Sequence, residues 1–218
     1  MRIIIIGDIH MAVGRLAGIA DLAEADLVII NGDLTNFGGI KEARQVIEKI
    51  RDINPEVLAQ FGNLDKKEVG RWLEEEGLDI HAKARFRQEG FWLVGLGGSN
   101  PTPFRTPTEF SEKELAEMAA DAFDQRTDTT RPTLFVSHCP PVNTVVDRIS
   151  SGIHVGSTAV REAIKKYCPA LCVSGHIHEA RGKDMVGTTP VYNPGMLQNG
   201  GWVEIDFRAG LFQARLHP

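Results

Sequence analysis

The chain has 218 residues, with 24 lysines and arginines against 29 aspartates and glutamates, 42% apolar residues and three cysteines. This is a globular composition that needs neither disulfides nor a metal merely to build a core. A formal net charge of −5 without any basic run argues against wrapping nucleic acid or adhering to anionic lipid by charge. No apolar run reaches the roughly 18 residues of a membrane-spanning helix, and Cys139, Cys168 and Cys172 form no Cys-x-x-Cys pair, so they read as reduced thiols of a cytoplasmic protein.

Short β-branched runs that stop at glycine, aspartate, asparagine or histidine alternate with stretches of helical spacing, the order expected of an α/β protein. Arg2 to Ile6 reads as a strand ending in Gly7-Asp8. Ala12 to Ala25 reads as a helix, and Leu27 to Ile30 as a strand ending in Asn31-Gly32-Asp33. Ile40, Ala43, Val46, Ile47 and Ile50 recur at helical intervals, which predicts a helix over residues 40–50. Val57 to Phe61 is the next strand and stops at Gly62-Asn63; Lys66 to Glu76 is a charged surface helix closed by Gly77. Arg85 to Gln88 and Phe91 to Leu96, joined at Glu89-Gly90, form a hairpin. A Gly/Pro-rich loop continues to Thr108 and offers Ser99, Asn100 and Thr102 as substrate-facing groups. Ser111, with Glu114 three residues on, opens a helix to Phe123 through a capping box.

Thr133 to Ser137 is a strand ending at His138, Ser157 to Tyr167 a helix, and Ala170 to Ser174 a strand ending in Gly175-His176. The remaining segments, Val191-Tyr192, Trp202 to Phe207 and Leu211 to Leu216, read as an antiparallel meander. No repeat, low-complexity tract or linker divides the chain, so a single domain over residues 1–218 is expected.

Five strand ends therefore carry metal-ligating side chains: Asp8 with His10, Asp33, Asn63, His138, and His176 with His178. The carboxyl ends of strands are where open α/β sheets assemble their sites. In Gly7-Asp8-Ile9-His10 and Gly175-His176-Ile177-His178 the polar residues are two apart, so on extended backbone both face one side and the isoleucine the other. A lone aspartate after a strand is ordinarily a cap or turn residue, and a lone histidine a hydrogen-bonded one. Five such coincidences in one chain point instead to a metal. Carboxylate, carboxamide and imidazole donors suit Mn, Fe, Zn, Co or Ni better than Ca or Mg. Seven donors exceed the needs of one tetrahedral ion, so the economical reading is two divalent metal ions sharing a carboxylate, with manganese placed first.

The ordered run Asp8-x-His10, Gly32-Asp33, Gly62-Asn63-x-Asp65, His138 and Gly175-His176-x-His178 resembles the calcineurin-like metallophosphoesterase family, and within it an uncharacterised prokaryotic subgroup. The resemblance covers residues 7–178. It implies a four-layer αββα sandwich of two mixed β-sheets flanked by helices. It also implies Asp8, His10, Asp33 and His178 around one metal, and Asp33, Asn63, His138 and His176 around the other, with Asp33 as the bridge. The implied activity is hydrolysis of a small phosphate ester, nucleotides included, more readily a diester than a monoester. Attack would be in line, by a hydroxide bridging the metals, with Asp33 and Asn63 in catalytic roles. Neither nucleic acid nor membrane is an expected partner.

One position departs from the family. Its usual Gly-Asn-His-Asp/Glu here reads Gly62-Asn63-Leu64-Asp65, so the histidine that contacts substrate and protonates the leaving oxygen is absent. A general acid is worth roughly 10²- to 10⁴-fold, which predicts weak turnover of esters with poor leaving groups and better turnover of aryl esters. His154 is a candidate replacement acid and Arg148 a candidate clamp on a phosphate oxygen. The competing expectation, a weakly active or inactive metal-binding scaffold for protein partners, has the intact ligand set against it.

Overall fold

Alternate residues of the first strand face two different cores, and that alternation lays out the whole molecule. In the computed structural model, which describes residues 1–218, β1 (Arg2–Ile6) turns Ile3 and Ile5 toward a second sheet and Ile4 and Ile6 toward helices. A strand apolar on both faces belongs inside a sheet covered on both sides. The first sheet has the order β11 (Leu211–His217), β10 (Trp202–Arg208), β1, β2 (Leu27–Asn31), β3 (Val57–Gln60). β1, β2 and β3 run parallel, while β10 pairs antiparallel with both β1 and β11. The second sheet has the order β4 (Lys83–Arg87), β5 (Phe91–Leu96), β6 (Thr133–Ser137), β7 (Leu171–Val173), β9 (Thr189–Asn193), β8 (Gly182–Val186). Its four inner strands are parallel and its two edge strands antiparallel to their neighbours.

Ile3, Ile5, Ile29, Leu93, Leu134 and Val173 fill the space between the sheets. On the outer face of the first sheet lie α1 (Ile40–Arg51), through Ala43, Val46, Ile47 and Ile50, and α2 (Lys67–Glu75), through Val69, Trp72 and Leu73. On the outer face of the second lie α3 (Glu112–Asp124), through Leu115, Ala119 and Phe123, and α4 (Thr158–Tyr167), through Val160 and Ile164. The architecture is an αββα sandwich. No helix is long and apolar enough to cross a membrane. The Ser111 capping box forms as expected: Glu114 N donates to Ser111 Oγ at 3.2 Å, and Ser111 N to Glu114 Oε2 at 2.7 Å.

The secondary structure differs from the sequence reading at residues 12–25, in the C-terminal segments and at β8. Residues 12–25 form no α-helix but a 3₁₀ turn over Val13–Gly18 followed by irregular turns, with Asp21 at φ 56°. Leu16, Ile19, Leu22 and Ala25 are all buried, and their spacing of three fits tight turns better than a 3.6-residue period. The C-terminal segments are also not one meander. Val191 and Tyr192 belong to β9, which runs parallel to β7 inside the second sheet, and the chain then crosses to the first sheet for the β10–β11 hairpin. β8 escaped notice because Gly182-Lys183-Asp184-Met185-Val186 is a polar edge strand, half open to solvent.

At their carboxyl ends the two sheets are joined by buried amides. Gln60 Nε2 donates to Asn31 Oδ1 at 2.7 Å and reaches the Leu96 and Val136 carbonyls of the other sheet at 3.2 Å. Asn31 Nδ2 donates across to Ser137 O, also at 3.2 Å. Replacing Gln60 by alanine opens a cavity and strips these acceptors of a donor, which should lower stability by about 2–4 kcal/mol. Urea unfolding followed by far-UV circular dichroism measures this, and an unchanged midpoint would contradict the role given to the amide.

Candidate metal centre

The functional side chains leave their strands on left-handed turns rather than on extended backbone. Asp8, His10, Asp33 and His176 have φ of 49°, 48°, 48° and 67°, which corrects the strand alternation expected for Asp8-Ile9-His10 and His176-Ile177-His178. Such a conformation costs a non-glycine residue of order 1–3 kcal/mol and needs partners to hold it. Asp8 N donates to Gly32 O at 3.1 Å and His10 N to Asp33 O at 3.0 Å. His176 N donates to both oxygens of Asp8, at 3.1 Å each. Ile9 and Ile177 are buried, anchoring each turn in the core. Gly32, at φ 79°, lies so close to Gly62 that a Cβ would stand 2.7 Å from its Cα, and a Cβ on Gly62 would press on Asp33. Both positions therefore need glycine for the loops to meet.

Two groups of donors result. Asp8, His10, Asp33 and His178 form one, and Asp33, His138 and His176 the other, with the ligand atoms of each group within 4.8 Å of one another. Asp33 belongs to both. His178 Nε2 is 3.2 Å from Asp8 Oδ1, and His138 Nε2 is 3.5 Å from Asp33 Oδ2. Asn63 joins the second group, its Oδ1 lying 3.1 Å from His138 Nε2. Thus the side chains from all five strand ends converge.

The donor set fits divalent cations. His10 Nε2 and His178 Nε2 face each other at 3.0 Å, an arrangement that an ion accepting both lone pairs would satisfy. His10 Nδ1 is buried without a partner, so Nε2 is the ring's only polar engagement. No cysteine belongs to either group. Oxygen and imidazole donors of this kind suit first-row divalent metals.

Charge is balanced internally. Burial opposes a cationic His138, but the Asp33 carboxylate and its hydrogen bond, with Asp8 behind, overcome this and raise the pKa to about 9. Burial likewise works against an ionised Asp33, and His138 and His10 nevertheless hold it below the usual carboxylate range. His176 is pushed down to about 4 by burial and then by repulsion from His138. For His178, burial is outweighed by the bond and charge of Asp8, which raise its pKa.

The loops are also tied to one another. Asp65 accepts from Gly62 N at 2.9 Å, from Leu34 N at 3.1 Å, and from Thr35 N and Oγ1 at 2.9 and 2.8 Å, so it joins the Asp33 loop to the Asn63 loop. Burial, and then the Asp33 charge, raise its pKa to about 6 against these hydrogen bonds.

Beside the first group opens a cavity of about 350 Å³ lined by His10, Ala12, Asn36, Leu64, His178, Met196 and Gln198. Met196 and Gln198 played no part in the sequence reading, although Pro194-Gly195 at the end of β9 repeats the glycine-after-strand pattern of the other ligand loops. Leu197 N donates to Asp8 O at 3.2 Å, docking that segment on the site. Arg148 and His154 do not line the cavity. Arg148 is exposed, with Nε donating to Gly152 O at 3.3 Å, and His154 Nδ1 lies 2.7 Å from Oδ1 of the buried Asp147.

Residues 1–180 match the family model described as calcineurin-like phosphoesterase. An uncharacterised protein of Methanocaldococcus jannaschii is 37% identical over 202 residues, covering 89% of this chain and 88% of that one. Among solved structures, a Thermus thermophilus protein superposes with a TM-score of 0.71 at 17% identity, over 98% of this chain and 97% of that chain. A dimetal phosphatase from Danio rerio superposes with a TM-score of 0.52 at 11% identity, over 99% and 95%.

Because His138 holds its proton up to about pH 9 when no metal is bound, a cation taking its lone pair at pH 7 must displace that proton. Mn²⁺ binding should therefore release at least one proton at pH 7 and tighten as pH rises toward 9. Calorimetric titration in buffers of different ionisation enthalpy measures the release; an apparent enthalpy independent of buffer would contradict it.

Proposed function

The chain belongs to the calcineurin-like phosphoesterase family, and on that premise we propose that it is a dinuclear metal-dependent phosphodiesterase. The observation that carries this reading is the shared position of Asp33, a buried carboxylate common to both donor groups. In this reading Asp8, His10, Asp33 and His178 hold one ion, and Asp33, Asn63, His138 and His176 the other. Two divalent ions, Mn²⁺ first among the candidates, would supply the Lewis acidity that activates water at neutral pH and offsets charge on the phosphate. Leu34, Thr35 and Gly62, through Asp65, keep the Asp33 and Asn63 loops in register, so the donors are organised in advance of substrate.

The preference for a diester rests on the cavity. No lysine or arginine lines it, so no side chain there offsets the second charge of a phosphomonoester. Ala12, Leu64 and Met196 make an apolar wall, and Asn36 and Gln198 add carboxamides at its rim. That combination suits a flat leaving group with a hydrogen-bonding edge, of the kind a nucleotide carries.

Leu64 stands where it can shape the cavity but cannot give a proton, which favours leaving groups that need none. His154 is the candidate acid for substrates extending beyond the cavity. Asp147 fixes its Nδ1, its Nε2 has no partner, and its loop is tied through Ser150 to Glu179, next to His178. Arg148, on the same loop, is the candidate contact for a phosphate oxygen of such a substrate.

Protein stripped of metal and refilled with Mn²⁺ should hydrolyse bis-p-nitrophenyl phosphate faster than p-nitrophenyl phosphate, and Asp33→Asn should lose at least about 100-fold. Absence of turnover with Mn, Fe, Zn, Co and Ni alike would sink the enzyme reading in favour of a scaffold. With alkyl diesters, Leu64→His should raise kcat by about tenfold or more while His154→Ala lowers it. Equal rates in all three proteins would remove both assignments.

A further inference from the structure

The loop after β5 supplies a group that reaches Asn63. Glu109 Oε1 accepts three hydrogen bonds, from Thr102 Oγ1 at 2.6 Å, Thr106 N at 2.7 Å and Thr106 Oγ1 at 2.7 Å. Thr106 Oγ1 in turn lies 3.0 Å from Asn63 Nδ2. The same strap is pinned beside it, with Thr108 N donating to Asn63 O at 3.0 Å and Thr108 Oγ1 to Asp65 O at 2.6 Å.

The proton roles along this chain of contacts have one solution. An ionised carboxylate can only accept, and a hydroxyl has one hydrogen to give. Burial works against the charged form of Glu109, yet the Thr102 and Thr106 donors hold its pKa below the usual range. Thr106 Oγ1 therefore gives its hydrogen to Glu109 and turns its lone pairs toward Asn63. A lone pair selects the amide's NH₂ and rejects its oxygen, so Asn63 Nδ2 points at Thr106 and Oδ1 at His138 and the donor cluster. A protonated His138 also selects the oxygen by donating from Nε2, but once that nitrogen gives its lone pair to an ion the ring no longer discriminates, and the Thr106 lone pair is the contact that still tells the two ends of the carboxamide apart.

We propose that Thr106, polarised by Glu109, is a positioning residue that fixes the Asn63 carboxamide with its oxygen toward the second donor group, and so sets the affinity of that group for a divalent ion. The inference rests on the dinuclear reading above and deepens it. Partners one step beyond the ligands typically govern metal affinity by 10- to 100-fold. The signal in the sequence is Thr106-Pro107-Thr108-Glu109, the spacing of a helix capping box with no helix at its start, so the carboxylate folds back on a loop.

Three variants and one probe test this, with Mn²⁺ binding measured by calorimetry and the melting temperature of the metal-free proteins recorded alongside. The native protein should bind two equivalents. Thr106→Val, which keeps the shape and removes the hydroxyl, should weaken one equivalent by about tenfold or more and leave the other unchanged. Thr106→Ser should bind both like the native protein. Glu109→Gln, whose amide can donate to Thr106, should weaken the same equivalent as Thr106→Val. A packing role would give the opposite order, native-like binding in Thr106→Val and a defect in Thr106→Ser, and that result overturns the inference while leaving the dinuclear site standing. Failure of the native protein to bind Mn²⁺ overturns both.

Discussion

A carboxylate that keeps 2% of its surface exposed has to be neutralised from inside the protein, and at Asp33 that requirement organises the rest. Its partners come from different strand ends: the Leu64 amide, 2.7 Å from Oδ1, follows β3, His138 follows β6, and His10 follows β1. No local stretch of chain could provide them. The two sheets must be stacked with their carboxyl ends in register before the charge is tolerable, and the Gln60 and Asn31 amides set that register from just beneath. Removing one partner of a buried ionic group costs far more than the group's net worth when all partners are present. The site and the sandwich are thus a single cooperative problem.

The charge is met by the neighbouring imidazoles themselves. His138 keeps a proton and serves as an internal cation against Asp33, while His176 beside it stays neutral. The two imidazoles differ because His138 adds a hydrogen bond to Asp33 to the attraction of its charge, whereas at His176 burial and repulsion from His138 outweigh the pull of Asp33 and Asp8. The left-handed turns at Asp8, His10 and Asp33 are held by backbone bonds between their two loops, and that at His176 by the Asp8 carboxylate, so local strain is borne by the stiff layers below. Donors aimed in this way need little rearrangement to receive an ion, which is what a site built for charge stabilisation requires.

Much of this is legible in the sequence, and what is not has physical causes. Strands apolar on both faces, such as Ile3 to Ile6, announce a covered sheet, and a glycine followed by a ligand-type residue marks its carboxyl end. The helices with complete caps, Ser111 above all, were placed to within a residue or two. Residues 12–25 misled because Leu16, Ile19, Leu22 and Ala25 mimic helical burial while following tight turns. Val191 and Tyr192 misled because a strand's own residues say nothing of which sheet receives it. The aim of Asp8 and His10 was hidden because left-handed backbone at a non-glycine residue is imposed by the partner loop. Thr106 and Glu109 were hidden for a related reason, since their meaning depends on an asparagine some forty positions earlier.

β1 pairs with β2 on one side, but its other edge is covered by β10, whose residues come almost last in the chain. As the protein emerges from the ribosome, an isoleucine-rich strand with open hydrogen-bonding groups is made long before its partner β10 and waits while all the intervening strands and helices are synthesised. An uncapped edge of that kind invites pairing with other nascent chains. The same delay applies to His176 and His178, so the charge-balanced centre assembles only after β7 has been made. Truncation anywhere before residue 202 would leave the opening strand permanently unpaired on that side, and the C-terminal hairpin therefore acts as the closing seam of the nascent protein.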